Sequence, residues 1–169
     1  MSALIGTFKH EQMNIRATTD QWLCLSLTQP WASALFVDGL KRIETRGWRT
    51  NYRGRIYIHA AKNFPRYAKD FASSERFELP ELPLGHIIGH VELVDIRRTE
   101  DLVGKIGSAE ERYGDYGPRR YGWITTTPVL LPAAIPAKGS LGLWVFLRRD
   151  LGANGQSEKL ESEKTDATD

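Results

Sequence analysis

Apolar residues come in short runs along this chain, and glycine or proline separates most of them. Leu23 to Leu27 is a compact apolar run and predicts a strand. Pro30 then suits a first helical turn, Trp31, Ala34, Leu35 and Asp38 share one helical face, and Gly39 is placed to stop the helix. Arg42 to Arg46 alternates with period two, setting Ile43 and Thr45 on one face and Arg42, Glu44 and Arg46 on the other. Gly54 to Ala60 repeats this pattern, with Ile56 and Ile58 facing inward and Arg55, Tyr57 and His59 opposite them. Phe64 to Ser74 reads as a helix, and Leu79 to Gly85, with two prolines, as a loop.

His86 to Arg97 is the longest strand-like run, and Gly89 inside it predicts a bulge or a close backbone approach. Arg98 to Arg120 mixes charges with Gly104, Gly107, Gly114, Gly117 and Pro118, which reads as a mobile excursion. Three more strands follow at Tyr121–Thr126, Val129–Ile135 and Leu143–Leu147. Many short strands with a few helices predict an α+β fold, a small mixed β-barrel. The expected organisation is a flexible arm over 1–20, one domain over 21–150 and a disordered acidic tail over 151–169.

Charge sharpens this picture. The net charge is only +2, but residues 21–150 carry +5 and the tail carries −3. From Lys41 to Lys62 there are seven Lys or Arg and one acid, Glu44, with Trp48, Tyr52 and Tyr57 interleaved. Cations neutralise phosphates and flat rings stack on bases, so this segment suits a nucleic acid or nucleotide surface. Cys24 is the single cysteine, and between Leu23 and Leu25 it reads as a buried, inert thiol. No run approaches the length of a membrane span and no signal-peptide pattern is present, so a cytoplasmic protein with no membrane partner is expected.

Candidate chemistry concentrates in the same segment. Glu44 and Arg46 share a strand face, and Glu44 could orient Arg46 or Lys41 toward a ligand. An ordinary ion pair ordering the strand is the plainer reading. Trp48 sits in a polar turn between Gly47 and Arg49, where packing alone explains a tryptophan poorly. Trp31 and Trp123 are further ring candidates. His59 could meet a base or phosphate, or simply bond a nearby carbonyl. His86 and His90 would stand about 13 Å apart on a strand, too far for one metal. There is no cysteine cluster, Walker loop or dinucleotide-binding glycine pattern, so no metal site and no cofactor are expected.

Several motifs in series carry a family resemblance. They are Gln29-Pro30-Trp31-Ala32-Ser33; Gly39 and Lys41 with Ile43-Glu44, Arg46 and Trp48; and Tyr52-Arg53-Gly54 with Ile58-His59-Ala60. The pattern continues through Leu84-Gly85, Val94-Asp95 and Arg120-Tyr121-Gly122-Trp123-Ile124 to Pro136-Ala137-Lys138-Gly139 and Leu141-Gly142-Leu143-Trp144. Across about residues 23–148 the chain resembles the ASCH (activating signal cointegrator homology) domain.

The resemblance implies a PUA-like barrel, a group linked mainly to RNA. It suggests binding of RNA or DNA, RNA first, through a cleft of Gln29, Trp31, Lys41, Arg46, Trp48, Arg53, Arg55, His59 and Lys62. Some small relatives in the superfamily hydrolyse acylated cytidine with a Lys, a Thr and a Glu. Lys41 matches their lysine, but Glu44 stands where their threonine would be. If the chain is an enzyme on a modified nucleoside or on RNA, Lys41 and Glu44 are its catalytic candidates. A third alternative is a protein-interaction module whose basic face docks an acidic partner. Oligomeric state is not legible.

Overall fold

The computed structural model of the protein describes residues 20–77 and 82–151. The arm expected over 1–20, the tail expected over 151–169 and part of the loop expected over 79–85 lie outside these residues, apart from Asp20, Leu151 and 82–85.

Six strands form one mixed sheet in the order β2-β5-β4-β3-β1-β6. They are β1 (Gln21–Leu27), β2 (Ile43–Arg46), β3 (Gly54–Ala60), β4 (His86–Arg98), β5 (Tyr121–Pro136) and β6 (Leu143–Leu147). All neighbours run antiparallel except β1 and β3, which are parallel. The sheet curls into a half-barrel with β2 and β6 as its two edges. Three short helices accompany it: α1 (Trp31–Ala34), α2 (Arg66–Ser74) and α3 (Ser108–Arg112). The α+β class and the mixed, curled sheet are as the sequence predicts. Among the described residues no helix is long and apolar enough to cross a membrane.

Period-two patterning explains the concave core. Leu25, Leu27, Ile56, Ile58, Val91, Leu93 and Trp123 meet there, all nearly inaccessible, and α1 adds Ala32 and Leu35. Each such large apolar side chain contributes about 1.5–3 kcal/mol by leaving water. A smaller cluster on the other face joins Cys24, Ile87 and Phe146 with Trp22, Tyr57 and Trp144. Cys24 is fully buried there, and burial pushes its thiol pKa up to about 12.

Two expectations need correcting. The strands expected at Tyr121–Thr126 and Val129–Ile135 are one long strand, β5. Thr127, at φ 50°, and Pro128 fall where the β4–β5 register shifts, so the ladder absorbs the proline at a bulge. The excursion over 98–120 is not loose. It contains a 3-10 turn at Thr99–Asp101 and helix α3, and it is bonded to β2. The Glu110 carboxylate accepts the backbone N–H groups of Arg42 and Ile43, and the Thr45 hydroxyl accepts from Asp115 N at 2.9 Å. The Thr99 hydroxyl donates to the Gly117 carbonyl at 2.7 Å, and the Tyr113 phenol donates to Glu75 at 3.1 Å. These bonds cover an edge strand whose open N–H and C=O groups would otherwise invite pairing.

Candidate nucleic-acid interface

Gly39, at φ 69°, turns the chain out of the α1 region and delivers Lys41 to the mouth of β2. Lys41 is fully buried. Its ammonium donates to the carbonyls of Ile43 and Tyr113 and lies 3.3 Å from Glu44 Oε2. Three acceptors therefore meet its three donors. The other Glu44 oxygen is 3.4 Å from Arg46 Nη1. The three residues form a line from the interior to the surface, with the carboxylate holding the guanidinium. Thr45 faces the other way, toward Asp115.

Register then builds a row that sequence spacing does not reveal. Arg46 pairs with Tyr121 on β5, and Tyr121 pairs with Arg98 on β4. Neighbours in register share a face, so all three lie at the same mouth of the concave side. The Arg98 guanidinium sits 5.7 Å over the Tyr121 ring, and that of Arg46 sits 5.8 Å over Trp48. Trp48 is half-buried, edge-on to Trp123 at 4.6 Å, and its carbonyl accepts from Trp123 Nε1. Packing therefore does hold Trp48, while part of its ring stays open. Trp123 is buried beneath it. The Arg97-Arg98 and Arg119-Arg120-Tyr121 runs were the signals that could have pointed to Arg98 and Tyr121.

Other candidates lie elsewhere. Arg53 donates to the Thr50 and Tyr52 carbonyls and stands 4.0 Å from Asp95. Arg55 is on the convex face, paired with Glu92 at 3.0 Å. Gln29 is fully buried, donating to the Pro83 carbonyl and accepting from Ser33 N. Trp31 stacks on Phe71 at 5.2 Å and packs α1 against α2.

His59 and Lys62 sit at the opposite end of the sheet. His59 is in register with Ile87 on β4, eleven residues before Arg98. That is about 35 Å of strand at roughly 3.3 Å per residue. The one cleft expected from the sequence thus divides into two places.

His59 is 2% exposed and its bonding partners fix its tautomer. Nε2 faces the Ala137 carbonyl at 3.0 Å, so it carries the proton. Nδ1 accepts from the Ser26 hydroxyl at 3.0 Å, and Ser26 Oγ in turn accepts from Trp144 Nε1. Burial, more than any other influence, holds the His59 pKa below its ordinary value, against the bond to Ala137, which raises it. The unfolded chain therefore binds more protons as pH falls. The stability that neutral His59 contributes is present above about pH 6.5 and is lost below it. Unfolding free energy should drop between pH 7 and 5, at up to about 1.4 kcal/mol per pH unit for one proton. Urea melts at several pH values should show a shallower slope in His59→Gln, and an equal slope would disprove the assignment.

A family model described as the ASCH domain matches residues 25–127. Activating signal cointegrator 1 of Homo sapiens is 31% identical over 133 residues, covering 72% of this chain and 22% of that protein. The Mus musculus protein of the same name is 30% identical, with the same coverage. The chain thus spans about a fifth of the length of these curated relatives. The crystal structure of ASCH from Zymomonas mobilis is 20% identical, covering 83% of this chain and 94% of that chain, with a TM-score of 0.49.

Proposed function

We propose that this chain, which belongs to the ASCH domain family, binds single-stranded nucleic acid, RNA first, across Trp48, Arg46, Tyr121 and Arg98. The row of Arg46, Tyr121 and Arg98, continued by Trp48, carries the reading. Guanidinium groups neutralise phosphates and also stack on bases, and each base stacked on a ring is worth about 1–3 kcal/mol. Rings can meet base faces only where the bases are unpaired, which favours a single strand over a duplex. Glu44 holds Arg46 in place and so limits the entropy lost on binding.

The hydrolytic alternative would draw on Lys41 and Glu44. The Lys41 ammonium has all its donors engaged and no exposed surface, so binding has the stronger support. A protein-docking role for the same basic face would give no affinity for oligonucleotides.

Fluorescence anisotropy with a labelled single-stranded RNA, titrated over salt, tests the proposal. Arg46→Ala with Arg98→Ala should lower the salt slope by about one to two units. Arg55→Ala, whose guanidinium serves Glu92 on the convex face, should leave the slope unchanged. An unaltered slope in the double variant would sink this interface.

A further inference from the structure

At the far end of the sheet lies a pocket of about 920 Å³, walled by β1, β3 and the loop after β5. Its size falls in the range of small-ligand sites. None of its fourteen lining residues is acidic. Lys62 and Lys138 stand on its rim, both exposed, and neither has a carboxylate within 4.0 Å among the described residues. Ala61, Leu84 and Leu141 give it an apolar wall, with Leu141 96% exposed at the lip. Two cations beside an aliphatic wall suit an anion that carries an apolar body.

The floor is polar and directional. Trp144 donates to Ser26, Ser26 donates to His59, and His59 donates to Ala137. Ser26 Oγ has two lone pairs and Trp144 uses one, which leaves one acceptor at the pocket. Gly139 lies against one side of this chain. A Cβ there would fall 2.4 Å from His59 Cε1 and 2.8 Å from Ser26 Oγ, so the glycine allows the loop to lie directly on the floor. His86 spends Nδ1 on the Leu84 carbonyl at 2.6 Å, and among the described residues nothing bonds its Nε2.

We propose that this pocket binds a nucleoside monophosphate group, with the phosphate between Lys62 and Lys138. The nucleoside lies along Leu84 and Leu141, and one of its hydroxyl or amino groups donates to Ser26. The group is either a free mononucleotide or the phosphorylated end of a strand. The site does not depend on the strand-binding row, which sits at the other end of β4.

Isothermal titration of the full chain with adenosine 5′-monophosphate, adenosine and inorganic phosphate tests it. The monophosphate should bind at least tenfold more tightly than either fragment. Lys62→Ala with Lys138→Ala should remove that advantage, and Leu141→Asp, a change at an exposed position, should weaken the monophosphate several-fold. The lysine-dependent part of monophosphate binding should persist in Arg46→Ala with Arg98→Ala, so this site and the strand row fail separately. A 5′-phosphorylated hexamer preferred over its 5′-hydroxyl counterpart, with the preference lost in the lysine variant, identifies a strand end as the source. Monophosphate binding without that preference identifies the free mononucleotide. Monophosphate binding no tighter than that of phosphate, or unaffected by the lysine changes, would overturn the proposal.

Discussion

Lys41→Met should destabilise the protein by about 3–5 kcal/mol, the cost of removing one partner from a buried ion pair. The change leaves Glu44 Oε2 without its ammonium and strips the Ile43 and Tyr113 carbonyls of a donor. Arg46 keeps its contact with the other Glu44 oxygen and offsets part of the loss. At this size the melting temperature should fall by on the order of 10 °C. Combining Lys41→Met with Glu44→Gln removes the stranded charge, so the double variant should recover part of the loss. Since Lys41 also ties the excursion to β2 through Tyr113, the single variant should be cleaved faster by protease within 99–120. Urea melts are the primary measurement, and a loss under about 1 kcal/mol would contradict a buried ammonium with three working bonds.

Gly89→Ala should cost about 3 kcal/mol, the upper part of the range for overpacking. A Cβ at this position would lie 2.4 Å from Phe36 Cε1 and 2.5 Å from the Val129 carbonyl oxygen. The ring could turn aside, but the carbonyl belongs to the β4–β5 ladder and cannot move without disturbing the register beside it. Gly107→Ala is the control. Nothing lies within 4 Å of a Cβ there and its φ is negative, so the change should stay within about 1 kcal/mol, most of it the loss of the glycine N-cap of α3. Equal melting temperatures for the two variants would show that β4 and β5 are less closely packed than described.

Gly89 was legible in the sequence as an interruption of a long strand, and so were the strands whose faces alternate cleanly, such as Gly54–Ala60. The run from Tyr121 to Pro136 was not, because Pro128 is a local stop sign whose meaning depends on a bulge against β4. The excursion misled for a related reason. Glycines and charges read as mobility, yet Glu110 and Tyr113 are bonded to groups at the start of β2 and just past the end of α2, far away in sequence. Within the site, Lys41, Glu44, Arg46 and Trp48 could be grouped because they lie within eight residues of one another. Arg98 and Tyr121 join them only through strand register. His59 leaves the group because β3 runs antiparallel to β4, which carries its last residues to the end of the sheet away from Arg98.

The pairing of β1 with β6 has a consequence for how such a unit can sit within a longer chain. Gln21 is in register with Leu147, and Arg148 N donates to the Asp20 carbonyl at 2.8 Å. Chain therefore enters and leaves the sheet at adjacent points, about 5 Å apart as for any antiparallel pair. A host protein could receive the unit inside a surface loop without its own flanking elements being prised apart. By the same geometry, a short linker joining residues 20 and 148 should permit new ends to be opened in an exposed turn elsewhere, with the sheet order intact.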